Sequence, residues 1–168
     1  MIKKIIEEIK NRYYNFKILM KYPFFWPKNV WTGKKCSGFF NYTLLDYLPK
    51  GWYKAFGLQM AEEIQEYLNT LPRKERKKFI ITQIKEKYGS LRIYMNYYTK
   101  ELDKIISKYE KLSEITCVTC GQKATYISIG YILPYCDNCK NKDKSQKYKK
   151  INKRNKAYKM SFAFPSMV

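Results

Sequence analysis

The chain has 168 residues, of which 45% are hydrophobic and 17% aromatic, so it carries enough apolar material for a packed core and is not an intrinsically disordered protein. Lys and Arg total 34 against 14 Asp and Glu, and the net charge of +20 favours a polyanionic partner: nucleic acid, an anionic membrane surface or a very acidic protein. The sequence contains no histidine, which excludes mechanisms that use an imidazole base and nucleases that bind metal through histidine.

The first predicted element is an amphipathic helix over residues 2–16. Its apolar residues recur at helical spacing between charged ones: Ile2, Ile5, Ile6, Ile9, Tyr13 and Phe16. Residues 22–43 follow as an irregular, proline-containing segment rich in aromatic side chains: Phe24, Phe25, Trp26 and Trp31. We expect this segment to lie over a core, because water tolerates little bare aromatic surface.

Three further elements complete an N-terminal body over residues 1–115. A second helix is predicted over residues 52–71, although Gly57 weakens its first turn. Its apolar stripe is Trp52, Phe56, Met60, Ile64, Tyr67, Leu68 and Leu71. A β-hairpin is predicted over residues 79–94 and a third helix over residues 99–113. The pattern predicts an α+β fold in which about three helices pack with a small antiparallel hairpin.

Two Cys-x-x-Cys pairs form the strongest chemical motif of the chain. Cys117 and Cys120 are separated by fifteen residues from Cys136 and Cys139, which is the spacing of a four-thiolate zinc site. The intervening residues predict a short hairpin around Gly130, and hence a zinc ribbon over residues 116–140. Four protein ligands leave no open coordination position, so one structural Zn²⁺ ion is expected. A rubredoxin-like iron site and two unrelated thiol pairs remain as alternatives.

The fifth cysteine, Cys36, has no partner in this motif. We expect a small buried or idle thiol there, because no histidine exists to activate a nucleophile.

A basic segment over residues 141–168 is predicted as a flexible tail. From residue 140 it carries ten cationic residues and a single acid: Lys140, Lys142, Lys144, Lys147, Lys149, Lys150, Lys153, Arg154, Lys156 and Lys159. These side chains are candidates for contact with nucleic-acid phosphates, which would make binding strongly dependent on salt. The alternative is a solvated lysine tail that keeps the protein in solution.

The predicted hairpin supplies four further candidates for nucleic-acid contact: Lys85, Lys87, Arg92 and Tyr94. Basic side chains next to aromatic rings suit single strands, since rings stack on bases and amines meet phosphates. A half-buried sheet also favours tyrosine for packing, so both interpretations stay open. Because 29 of the 34 basic residues are lysine, we expect contact with the backbone and little sequence preference.

Carboxylates are too sparse to predict catalysis. Glu62, Glu63 and Glu66 share the second helix, and Gln83-Ile84-Lys85 resembles only weakly the last element of a nuclease core. A solvated helix face is the more economical interpretation, and we expect no enzymatic activity; a metal-dependent nuclease remains as a third alternative.

Short motifs along residues 22–140 resemble a family of phage and prophage proteins whose activity is not established. The shared motifs are Tyr22-Pro23, Pro27-Lys28-Asn29, Trp31-Thr32-Gly33, Pro49-Lys50-Gly51-Trp52, Ala55-Phe56-Gly57, Glu62-Glu63-Ile64, Gln83-Ile84-Lys85-Glu86-Lys87-Tyr88-Gly89, Leu91-Arg92, the two cysteine pairs, Gly130-Tyr131 and Pro134-Tyr135. The resemblance implies a phage origin and a zinc ribbon at the C-terminal end, and it implies no activity.

Two functional hypotheses result from these features. The first is a non-enzymatic accessory protein that binds DNA or RNA through lysines. The second is a counter-defence inhibitor, similar to an anti-CRISPR protein, that binds a host nuclease or ribonucleoprotein complex. Glu7 and Glu8 interrupt any signal-peptide pattern and no apolar run reaches the length of a membrane span, so we expect a cytoplasmic protein with no membrane contact.

Overall fold

Helices and two small antiparallel sheets make up the computed structural model, which describes residues 2–29, 32, 34–36 and 38–151. The helices are α1 (Ile2–Lys21), α2 (Lys50–Trp52), α3 (Leu58–Thr70), α4 (Arg73–Arg76), α5 (Lys100–Ser113) and α6 (Asp137–Lys142). The strands are β1 (Ile81–Lys87), β2 (Ser90–Met95), β3 (Tyr126–Ser128), β4 (Pro134–Tyr135) and β5 (Tyr148–Lys150). The α+β fold class predicted from the sequence is confirmed.

Helix α1 is longer than the predicted range of residues 2–16. Its last turns pack Ile18 and Leu19 into the core, and the helix ends at Lys21, just before Tyr22-Pro23. The predicted apolar stripe lies at the other end of the helix and is exposed rather than packed: Ile2, Ile5, Ile6 and Ile9.

The aromatic segment after α1 covers the core as expected. Phe24 and Phe25 are buried, and the half-buried Trp26 packs against the core with the Lys35 ammonium 3.4 Å above its ring centre. Trp31 and Gly33, which belong to the same predicted segment, lie outside the described residues.

The second predicted helix is one continuous helical stretch. Helix α2 continues through a π-helical turn, Tyr53–Gly57, into α3. The irregular turn therefore lies where Gly57 was expected to weaken the helix. The predicted stripe faces the core and is fully buried at five positions: Trp52, Phe56, Met60, Ile64 and Leu68.

The first sheet is the predicted hairpin of β1 and β2. Tyr88 and Gly89 form its turn with φ angles of 53° and 72°, the left-handed geometry that a tight hairpin turn requires. Helix α5 lies against β2, where the Ser113 hydroxyl accepts a hydrogen bond from the Leu91 N–H at 2.8 Å. The Thr99 hydroxyl caps α5 by accepting from the Leu102 N–H.

The second sheet has the strand order β4-β3-β5. Strands β3 and β4 are the short hairpin predicted between the cysteine pairs. Strand β5 was not expected, because residues 141–168 were predicted as a flexible tail. Its backbone pairs with β3, so residues 148–150 are folded onto the ribbon; residues 152–168 lie outside the described part.

The first cysteine pair is packed directly against the start of α2. The Gly51 N–H donates to the Val118 carbonyl at 2.8 Å, and the buried Trp52 indole donates to the Thr116 carbonyl at 2.9 Å. A Cβ atom on Gly51 would lie 2.1 Å from the Cys117 carbonyl oxygen and 2.7 Å from the Gly121 nitrogen. Only glycine therefore allows the two backbones to approach this closely.

We expect Gly51→Ala to lower the free energy of unfolding by about 2 kcal/mol or more, because the methyl group forces two backbones apart. Alanine ordinarily stabilises a helix relative to glycine by about 1 kcal/mol. A loss of stability in Gly51→Ala would therefore show that the close backbone contact, and not helix propensity, determines the effect. Denaturant unfolding measures the change. Gly38→Ala is the control, since a Cβ there meets nothing within 4 Å, and an equal loss in both variants would contradict the packing described.

Candidate metal centre and basic surface

The four motif cysteines converge on one point. Their Sγ atoms all lie within 4.8 Å of one another, and those of Cys120 and Cys136 are 3.5 Å apart. Four thiolates around a zinc-sized ion at about 2.3 Å stand about 3.8 Å apart, so the cluster has the dimensions of a tetrahedral site. The group could hold one metal ion.

The backbone conformation at each cysteine pair positions the thiols of the cluster. In the first pair, the Gly121 N–H donates to the Cys117 carbonyl at 3.0 Å, and Gly121 has a φ of +84° that a side chain would oppose. In the second pair, Cys136 immediately precedes α6 and Cys139 lies in its first turns. The sheet and the short helix thus present the two pairs to each other across the ribbon.

Local electrostatics shift the pKa of three of the cluster thiols, and not all in the same direction. Burial opposes ionisation of Cys117, but backbone N–H groups of Cys120, Cys136 and Thr119 outweigh it and lower its pKa to about 7. Burial raises the pKa of Cys136 and of Cys139 above the ordinary thiol value. A bound cation would offset these penalties and ionise all four thiols, so metal binding releases protons.

Cys36 is not a member of this cluster. It is exposed rather than buried, and its thiol donates to the Lys34 carbonyl at 3.7 Å.

The hairpin candidates for nucleic-acid contact differ in their solvent accessibility and in their contacts within the fold. Lys85 and Arg92 are cross-strand partners, and the Lys85 ammonium lies 4.7 Å from the centre of the Tyr94 ring. Lys87 is exposed at the hairpin end, with its ammonium 5.7 Å from the Tyr88 ring centre. Lys85, Lys87 and Tyr94 are therefore accessible together on one sheet.

Arg92 is engaged inside the fold. Its guanidinium donates to the Ser90 hydroxyl and the Leu91 carbonyl, each at 2.8 Å, and lies 3.5 Å from the Glu110 carboxylate. It thus helps to hold β2 against α5. Its hydrogen bonds give it a structural role that the sequence pattern did not predict.

Six of the ten predicted tail cations lie on the folded ribbon: Lys140, Lys142, Lys144, Lys147, Lys149 and Lys150. Lys140 stands 3.9 Å above the Tyr126 ring centre, and the others are exposed. The remaining four candidates lie outside the described residues: Lys153, Arg154, Lys156 and Lys159.

Asp143 stabilises the folded form of this basic segment, a role that was not predicted from the sequence. Its carboxylate accepts hydrogen bonds from the Ser145 N–H and the Tyr148 hydroxyl, both at 2.9 Å, and so ties the loop to β5. Hydrogen bonds from Ser145, and then from Tyr148, lower the pKa of Asp143. The Asp-x-Ser pattern is typical of a turn closed by an aspartate side chain and could have indicated it.

Two of the three carboxylates considered for catalysis pair with different lysines. Glu62 accepts from the Lys21 ammonium at 2.6 Å and from the Tyr22 hydroxyl, and these contacts lower its pKa. Glu63 pairs with Lys108 at 2.5 Å, while Glu66 is exposed. Within the described residues the cysteine cluster is the one grouping of three or more ligand side chains that could hold a metal ion.

Comparison with known proteins places the chain in no family. No family profile, no curated protein and no solved structure matches it. None of the helices in the described part combines the length and the apolar character that crossing a bilayer requires.

We expect purified protein to carry about one metal ion per chain, and Cys120→Ser to abolish that stoichiometry, because three thiolates hold the ion far more weakly than four. Metal analysis of the intact protein by native mass spectrometry measures it. Cys36→Ser is the matched control and should keep the ion. A metal-free wild type, or equal metal content in both variants, would contradict the site.

Proposed function

We propose that this protein is a non-enzymatic nucleic-acid-binding accessory protein in which a structural zinc ion holds a lysine-bearing ribbon. The observation that carries this proposal is the folded basic segment that begins directly after the last cysteine of the cluster. The phage origin implied by the sequence resemblance and a cytoplasmic location in the host cell remain predictions.

Zinc is the metal that the donor set favours. Four cysteine thiolates at tetrahedral spacing are soft ligands that suit zinc, and a closed set of four leaves no position for water or substrate. The ion would therefore act by stabilising the ribbon. Metal analysis distinguishes zinc from the rubredoxin-like iron alternative.

Four exposed ribbon lysines form no ion pair with an acid of the described residues: Lys142, Lys144, Lys147 and Lys149. The ion pairs among the described residues are Lys21–Glu62, Arg92–Glu110 and Lys108–Glu63. The one acid of the segment, Asp143, is occupied by Ser145 and Tyr148. Exposed ammonium groups without carboxylate partners release counterions when they meet phosphates, which supports backbone contact.

The salt dependence of binding tests this location. Lys142→Gln/Lys147→Gln/Lys149→Gln should flatten the slope of log affinity against log salt by about two on a single strand, since each lost phosphate contact removes about 0.7. Fluorescence anisotropy with a labelled oligonucleotide between about 50 and 200 mM salt measures the slope.

The matched control removes the same charge from another exposed element, as Lys3→Gln/Lys4→Gln/Lys10→Gln on α1. It should change the slope by clearly less than the ribbon variant. Equal changes would disprove the ribbon location, and a wild type that binds neither DNA nor RNA would overturn the proposed function.

One observation favours a second candidate, the counter-defence inhibitor. The first turns of α1 expose four isoleucines with 46–75% of their surface accessible: Ile2, Ile5, Ile6 and Ile9. Such a stripe is typical of a helix that binds a protein partner. Helix α1 also carries six cationic residues against two acids, so the partner would be an acidic host protein, including one within a nucleoprotein complex.

For this candidate, a specific host protein should remain bound after nuclease digestion of a lysate and be lost from the variant Ile5→Ser/Ile9→Ser. The apolar contacts would be removed while the helix charge is unchanged. Affinity capture followed by mass spectrometry measures it, with Leu58→Ser, a change of an exposed apolar side chain elsewhere, as the control. Retention that is insensitive to the α1 variant counts against the inhibitor.

A further inference from the structure

A cleft of about 700 Å³ opens between the end of α1, the segment after it, and the corner where α3 meets α4. Its rim is strongly basic, with five cations and one acid: Lys21, Lys28, Arg73, Arg76, Lys77 and Glu62. This cleft is distinct from the metal centre and from the ribbon lysines.

The single carboxylate does not neutralise the rim. Glu62 is occupied by the Lys21 ammonium at 2.6 Å and by the Tyr22 hydroxyl. Among the described residues, no carboxylate pairs with Lys28, Arg73 or Lys77. The cleft therefore keeps an excess positive charge in a concave surface, which concentrates the field on an anion.

Apolar side chains form part of the cleft lining, and each exposes only 2–5% of its surface: Phe24, Phe79 and Leu68. Phe24 and Phe79 pack edge to face, with ring centres 5.6 Å apart, and Leu68 continues the wall. A free inorganic anion would make no favourable contact with these apolar side chains. The cleft fits a ligand that joins an anionic group to a flat, largely apolar body.

A buried acceptor in the wall has no donor. Gln65 lines the cleft and donates through its amide to the Asn69 side chain at 2.9 Å, while its own carbonyl oxygen is buried without a hydrogen bond. Arg76 also donates to Asn69, at 3.0 Å, which fixes this amide pair in place. This oxygen exposes less than 1 Å² and therefore belongs to the fixed wall of the cleft rather than to its contact surface.

From these features we propose that the cleft binds a nucleoside phosphate, either as a free nucleotide or as one unit of a strand. The phosphate meets Arg73, Lys77 and Lys28, and the base packs against the part of the wall that Phe24 and Phe79 form. The proposal stands on the residues of this cleft and does not depend on phosphate contacts by the ribbon.

Calorimetric titration of the full-length, metal-loaded protein with adenosine 5′-monophosphate tests it, with adenosine and inorganic phosphate as separate probes. The nucleotide should bind more tightly than either part. Arg73→Gln/Lys77→Gln should weaken nucleotide binding by about tenfold or more, since two charge-assisted contacts are lost.

Lys74→Gln/Lys78→Gln is the matched control: it removes the same charge from the same segment, at residues that do not line the cleft. It should leave the affinity within about twofold, because distant surface charges act weakly in salt. The ribbon variant should also leave nucleotide affinity unchanged, so failure of this site and failure of the proposed function are distinguishable.

An oligonucleotide identifies the source of the ligand. If a short single strand displaces the mononucleotide, the cleft binds a nucleotide within a strand. If both bind at the same time, the cleft binds a free nucleotide. Either result supports the site. Undetectable nucleotide binding, equal affinity for inorganic phosphate, or equal losses in the two charge variants would overturn it.

Discussion

The contact between Gly51 and the first cysteine turn is the constraint on which the arrangement of this protein depends. Two glycines, Gly51 and Gly121, let the start of α2 approach the turn so closely that no side chain fits between them. Trp52 then fills the adjacent core and bonds to the Thr116 carbonyl. The cysteine turn is thus a wall of the main core, and Cys117, Val118 and Cys136 belong to the same buried cluster as the helices. The predicted domain boundary after residue 115 falls inside this interface.

This packing changes what a metal ion would do. An isolated ribbon of this size buries little apolar surface and depends on its metal to fold. Here the first cysteine pair is also held by the helical body, so part of the order of the cluster comes from protein contacts. A bound metal ion and the core would therefore stabilise each other: the ion would hold β3, β4 and α6 together, while the helical body holds the turn that carries Cys117.

Acidic side chains in this protein serve mainly as internal connectors. Glu62 joins α3 to α1, Glu63 joins α3 to α5, and Glu86 accepts from the Tyr131 hydroxyl of the ribbon at 2.6 Å. Asp143 holds the loop before β5. With few acids, and several of them engaged in this way, few carboxylates are left to neutralise the cleft rim and four of the ribbon lysines: Lys142, Lys144, Lys147 and Lys149. The positive field is a consequence of where the acids are used as much as of the composition.

The sequence by itself determined the features that depend on local spacing. The periodicity of Trp52, Phe56 and Met60 predicted a buried helix face, and the spacing of the cysteine pairs predicted four converging thiols, because both patterns act over a few residues or through a short turn. Residue type alone left the role of Arg92 open, and only the approach of Glu110 and Ser90 decided that it is structural.

The tertiary structure decided everything that requires distant segments to meet. Strand β5 forms because β3 offers a free edge to a lysine-rich stretch with no strand pattern of its own. The basic cleft collects Lys28, Gln65 and Arg73 from three separate elements. No local pattern carries that information, since the free energy that brings such segments together comes from burial of core side chains elsewhere in the chain.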